Sequence, residues 1–265
     1  MDQSRYKTLR FSREGRILTI TMNLPDQLNA VTHELHEEMS RVFDDATDDK
    51  DSDVIVLTGA GQAFCAGGDL KWLRQEIDQG LPPFVTEVRI MKRIVQTLLD
   101  CPKPVIARVN GDAMGFGASI ALLCDIVIAV DTARFADPHV KIGLSAGDGG
   151  AMIWPQLIGY AKAKHYLLTG EALTAVEAER LGLITFAIPA AEFDAYVNKY
   201  AERLSRGAQS AIRYTKMTAN IPLRQMLPTL FEAGAAYEGL SKHTADFREG
   251  VTAFLERRRP DFKGV

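Results

Sequence analysis

Apolar and polar side chains alternate over residues 7–12 and 16–22, with Glu14-Gly15 between the two runs. Successive side chains of a strand point to opposite faces, so this pattern predicts a β-hairpin. From about Thr32 the period changes. Leu35, Met39, Val42, Phe43 and Ala46 fall on one face of a predicted helix. DVIVLTG (53–59) is a continuous apolar run that ends in glycine, as a strand covered on both faces would be. A second helix is predicted over 84–99, stopped by the prolines of CPKP (101–104). PVIARVNG (104–111) and DIVIAV (125–130) read as further buried strands, with a segment from Ala113 to Cys124 between them that is glycine-bearing and then helical. From about Leu157 the spacing is helical almost throughout, apart from the strand candidate LITFAIP (183–189). Strands alternating with helices predict an α/β core over residues 1–190, followed by amphipathic helices over 191–265. QEIDQGLPPF (75–84), with Gly80, Pro82 and Pro83 close together, is expected to be mobile.

Composition narrows the function classes. A net charge of −3 and a pI near 6.0 exclude the broad basic field of a sequence-independent nucleic-acid binder. They leave room for an anionic ligand held by a few local groups. Three cysteines, Cys65, Cys101 and Cys124, are an odd number without metal-ligand spacing, so neither a disulfide framework nor a metal site is expected. The N-terminal residues lack the apolar centre of a signal peptide, and no apolar run reaches the roughly 18 residues of a membrane span. A soluble cytoplasmic protein, without nucleic-acid or membrane partners, is the expectation.

Two glycine loops each lead from a strand into a helix: GAGQAFCAGGDL (59–70) and NGDAMGFGASIALLCD (110–125). Glycines before a helix start leave backbone N–H groups open to negative charge. Tight turns produce such loops constantly, so the spacing alone favours a plain turn. Neither loop is a dinucleotide fingerprint or a P-loop.

The order of several motifs is more specific. FCAGGDL, N-G-x-A-x-G-x-G with its trailing CD, PDQLNA (25–30), FADPHVKIGLSAGDGG (135–150), LTGEALTAVEAERLGLI (168–184) and EGVTAFLERRRPDF (249–262) together resemble the crotonase, or enoyl-CoA hydratase/isomerase, superfamily over nearly the whole chain. The resemblance implies a spiral of ββα units with a helical C-terminal region that contributes to oligomerisation and to a lid over the coenzyme A pocket. It implies an acyl-CoA substrate, no cofactor beyond the coenzyme A of that substrate, and a homotrimer or dimer of trimers. The thioester oxygen would sit between the backbone N–H groups of Gly68 and Phe116, where charge develops in an enolate. Gln27, Leu28, Ala30, Ala66, Asp69, Leu70, Gly115, Ser119 and Pro138 match positions that bind coenzyme A or line the substrate pocket. For Asp69 a helix-terminal charge is the ordinary explanation.

The sequence departs from the family where the hydratases carry two glutamates. Ser119 stands in place of the first and His139 in place of the second. His139 and Asp148 are the remaining candidates for acid–base work, the imidazole because its ordinary pKa is about 6.5. The ordinary alternatives are a backbone-bonded loop histidine and a helix N-cap. A His–Asp pair also resembles the retro-Claisen hydrolases of the superfamily, which cleave carbon–carbon bonds in β-diketones. The functional expectation is therefore enoyl-CoA hydration or isomerisation, with C–C hydrolysis or a non-catalytic coenzyme A-binding role as alternatives.

Overall fold

The computed structural model describes residues 2–80 and 84–264. The predicted hairpin is β1 (Leu9–Glu14) and β2 (Ile17–Met22), antiparallel with Leu9 opposite Met22. Thr32 caps α1 (His33–Asp48) by accepting the N–H of Leu35, and the predicted apolar face of this helix is fully buried. Truncating Met39 to alanine would cost about 2–5 kcal/mol, the usual range for a fully enclosed methionine. The strand β3 (Val54–Gly59) is buried at every position, as an all-apolar run requires. Next come α2 (Leu70–Gln79), α3 (Phe84–Asp100), β4 (Val105–Val109), β5 (Ala113–Met114), α4 (Phe116–Leu122), β6 (Ile126–Val130) and β7 (Arg134–Ala136). The chain continues through α5 (Gly150–Thr169), β8 (Leu173–Thr174), α6 (Ala175–Leu181), β9 (Phe186–Ile188) and α7 (Ala190–Ser205). Four further helices follow: α8 (Gln209–Ala219), α9 (Ile221–Met226), α10 (Glu232–Lys242) and α11 (Ala245–Leu255).

The main sheet has the order β1-β2-β3-β4-β6-β9 and is parallel from β2 onward. A second sheet, β5-β7-β8, was not expected from the sequence. Its members are two or three residues long, too short for any hydrophobic period to mark them. Of the stretch expected to be mobile, residues 75–79 form the last turns of α2, and residues 81–83 lie outside the described residues. Among the described residues no helix is long and apolar enough to cross a membrane.

What the fold does for function is to bring both glycine loops to the same end of the parallel sheet, beyond the carboxyl ends of β3 and β4. Backbone bonds knit them together. The N–H groups of Phe64 and Cys65 reach the carbonyl of Asp112 at 3.1 Å, and Met114 donates to Cys65 at 2.9 Å. Val31 donates to Gly67 at 2.8 Å and Ala66 to Leu28 at 3.0 Å, adding the 28–31 turn to the same seam. Gly117 is required by this approach: a Cβ there would lie 2.4 Å from the carbonyl oxygen of Cys65.

Candidate active site

A cavity of about 490 Å³ opens over the two loops. Gly68 and Phe116 both line it. Their N–H groups donate to no protein acceptor among the described residues, since Phe116 begins α4 and the ladder around Gly68 uses its neighbours Gly67 and Asp69. Two backbone donors without a protein acceptor thus border one cavity, and the one at a helix start lies where negative charge is favoured.

The titratable cluster at the cavity comes from the segment between β7 and α5. After Ala136 the chain passes Asp137 and Pro138 and makes a 3₁₀ turn over His139–Ile142. Gly143 (φ 74°) then reverses the backbone, and Leu144 donates to the carbonyl of His139 at 3.0 Å. This turn aims the imidazole at the cavity, with its Cε1 edge against Gly115. His139 bridges two carboxylates: Nδ1 meets Asp137 Oδ1 at 2.5 Å and Nε2 lies 3.3 Å from Asp148 Oδ2. Asp137 is fully buried and Asp148 nearly so. Asp148 Oδ1 in turn accepts from the Ser119 hydroxyl at 2.8 Å and from the N–H of Gly150 at 3.3 Å. Gly150 is glycine because a Cβ would fall 1.9 Å from Asp137 Oδ2.

The charges follow from this geometry. Burial by itself would push the His139 pKa down, but the two flanking carboxylates outweigh it and hold the ring well above 6.5. Burial would raise Asp148, yet the imidazolium, the Ser119 hydroxyl and the Gly150 N–H bring it below the usual carboxylate range. Near neutral pH the site therefore presents an acid, His139, beside a base, Asp148. The carboxylate and imidazole atoms of Asp137, His139 and Asp148 lie within 4.8 Å of one another and could offer ligands to a metal ion. A raised imidazole pKa opposes that use, because coordination must displace the ring proton.

Of the sequence candidates, Ala66, Gly68, Leu70, Gly115, Phe116, Pro138, His139 and Asp148 line the cavity. Ser119 lies behind that wall, its hydroxyl bonded to Asp148. Asp69 caps α2, accepting the N–H of Lys71 at 2.8 Å. Gln27, Leu28 and Ala30 belong to the turn bonded to Ala66, outside the cavity wall. Asp148 is not the N-cap of α5; that position is Gly149. Sequence reasoning missed Asp137, although a carboxylate two residues before a loop histidine was visible. It also missed His36, Trp72, Glu76, Glu238 and Lys242, which line the cavity from α1, α2 and α10.

Fold and site together define an α/β protein that sets a paired acid and base beside open backbone donors. The chain belongs to the enoyl-CoA hydratase/isomerase family: the model described as "Enoyl-CoA hydratase/isomerase" matches residues 12–265. It is similar to a probable enoyl-CoA hydratase of Rhodobacter capsulatus, 36% identical over 259 residues that cover 98% of this chain and 99% of the relative. It is 33% identical over 252 residues to the 1,2-epoxyphenylacetyl-CoA isomerase of Escherichia coli, covering 95% of this chain and 96% of that one. An enoyl-CoA hydratase/isomerase crystal structure from Mycobacterium paratuberculosis superposes with a TM-score of 0.88 at 37% identity, covering 93% of this chain and 98% of that one.

Proposed function

We propose that this protein is an acyl-CoA enzyme that works through a thioester enolate, with hydration or isomerisation of an enoyl-CoA as its reaction. The observation that carries the reading is the His139–Asp148 pair on the same cavity wall as the N–H groups of Gly68 and Phe116. In this reading the thioester oxygen accepts from both donors, and each is worth about 3–4 kcal/mol in the transition state. No cofactor beyond the coenzyme A of the substrate is needed.

The missing glutamates are replaced from elsewhere in the chain. Asp148 touches the Ser119 hydroxyl, so a carboxylate returns to the neighbourhood of position 119 from the turn before α5. Asp137 holds Nδ1 and orients the ring, which frees Asp148 to carry a proton. For hydration, Asp148 takes a proton from water as its oxygen bonds to Cβ. The His139 imidazolium gives a proton to Cα, and proton transfer from Asp148 to the neutral imidazole restores the pair. Isomerisation uses the same two groups to remove a proton at one carbon and return one at another.

A second reading, retro-Claisen hydrolysis of a β-diketone, is favoured by the Asp137–His139 contact, which resembles the oriented general base that activates water in hydrolases. The exposed Tyr160, Leu168, Tyr237 and Leu240 fit subunit contacts of a homotrimer, which sedimentation tests. The deciding experiment offers crotonyl-CoA, 3-hexenoyl-CoA and a β-diketone to the wild type and to His139→Ala, with products identified by mass. Turnover of a thioester that is lost in His139→Ala supports the reading. Unchanged turnover in the variant overturns the role of His139, and cleavage of the diketone alone moves the assignment to the hydrolases.

A further inference from the structure

The cavity wall away from His139 carries polar groups that the proposed chemistry does not use. Lys242 and Glu238 reach it from α10, Glu76 from α2 and His36 from α1. All four are more than nine-tenths buried. Lys242 Nζ lies 3.4 Å from Glu76 Oε2, an ion pair that joins α2 to α10 across the pocket. Buried charges in an acyl pocket are costly, and a pocket made only for alkyl chains would have no use for them.

His36 is the informative member. It is 8% exposed and lines the cavity, and its ring nitrogens make no hydrogen bond among the described residues. Its neighbours are aromatic: the rings of Phe116 and Trp72 lie 6.0 and 5.9 Å away between centroids. Burial, together with the positive charge of Lys242 and with His33, brings its pKa down to about 4. At neutral pH the ring is therefore uncharged, with one N–H donor and one acceptor nitrogen. A plain alkyl chain packed there would leave both without a partner, which weakens its binding relative to a chain that supplies one. An anionic group would meet two carboxylates, Glu76 and Glu238, against the single ammonium of Lys242, which Glu76 already engages.

We propose that His36 binds a neutral oxygen atom, ketone or hydroxyl, on the acyl chain beyond the thioester, so that the substrate class is oxygenated acyl-CoA. This rests on the acyl-CoA reading above and adds the identity of the chain. His36 is a specificity residue here; the proton transfers stay with His139 and Asp148.

The test is equilibrium binding, measured by calorimetry on the full-length protein, of hexanoyl-CoA, 4-oxohexanoyl-CoA, 5-oxohexanoyl-CoA, 6-hydroxyhexanoyl-CoA and the six-carbon thioester ending in a carboxylate. At least one of the neutral oxygenated thioesters is expected to bind at least tenfold more tightly than hexanoyl-CoA. His36→Phe, which keeps an aromatic ring against Phe116 and Trp72, should reduce that ratio to within twofold of unity, with hexanoyl-CoA gaining affinity because its chain no longer meets unpaired nitrogens. His36→Gln, which keeps a donor and an acceptor, should retain part of the ratio. Equal binding of all five by the wild type overturns the proposal and leaves the acyl-CoA reading in place. Preference for the carboxylate overturns the neutral class. A failure of every thioester to bind overturns both readings together. Where His36→Phe fails to fold, a wild-type ratio near unity still overturns the proposal, and His36→Gln carries the assignment to His36.

Discussion

Replacing Asp137 by asparagine keeps the shape behind His139 and removes a charge. In the wild type Nδ1 meets this carboxylate at 2.5 Å, in a place without solvent exposure, so screening is weak. An opposite charge in such contact moves a pKa by about 1–3 units, or about 1.4–4 kcal/mol. Asp137→Asn should therefore lower the His139 pKa by about 1–3 units. It also replaces a group that can only accept by an amide that can turn its N–H toward Nδ1, and loss of that tautomer control should slow proton transfer by about 10²–10⁴. Two assays check this. Carbon-13 NMR of labelled histidine follows the His139 ring through a pH titration, and mass spectrometry follows deuterium exchange into the α-carbon of butyryl-CoA. The stability difference has a sign as well. Folded His139 binds its proton more tightly than the unfolded chain does, so its contribution is fully present below 6.5 and is lost as pH rises through the raised folded value. The melting temperature of Asp137→Asn should thus fall furthest below the wild type near pH 6.5, and the gap should narrow at higher pH. An unchanged His139 titration together with wild-type exchange would refute the reasoning.

Ser119→Ala removes a hydrogen bond to the Asp148 carboxylate and should raise that group's pKa, moving the acid limb of the rate–pH profile upward with about a tenfold loss of kcat/KM. Asp148 has a lowered pKa, so its share of stability is present above 3.8 and lost as pH falls through the folded value. Acid unfolding followed by circular dichroism should accordingly begin at higher pH in Ser119→Ala. Gly117→Ala puts a Cβ 2.4 Å from the Cys65 carbonyl and should part the two loops, lowering kcat by about 10²–10³ as the backbone donors lose their aim. Away from the site, Lys216 pairs with Asp125 at 2.7 Å and is almost wholly buried. Lys216→Met should cost about 1–3 kcal/mol in urea unfolding, because it leaves the partly buried Asp125 carboxylate with the Val105 N–H but without its cation.

Much of the fold was legible before the structure. The hairpin, the buried strands at 53–59, 104–111 and 125–130, and the α1 face from Leu35 to Ala46 follow from periods that one strand or helix shows in its own residues. Family membership was legible too, because the glycine loops and FADPH keep their order and spacing along the chain. Hydrophobic period is a local property, so a single segment suffices to reveal it.

The site belonged to tertiary structure. That His139 stands between two carboxylates depends on a loop whose course is set by the turn at Gly143 and by the docking of α5. That Ser119 supports Asp148 depends on the packing of α4 against that turn across 29 residues of sequence. His36, Glu76 and Lys242 share one cavity although they come from three helices far apart in the chain. Charge and hydrogen bonding act over a few ångströms of space whatever the sequence separation, and no local pattern records which distant side chain the fold will bring within reach. The sequence alone thus determined the main strands and helices, the family and the identity of the two loops, while the short β5-β7-β8 sheet came only with the packing. Packing decided which groups share protons and which of them face the cavity.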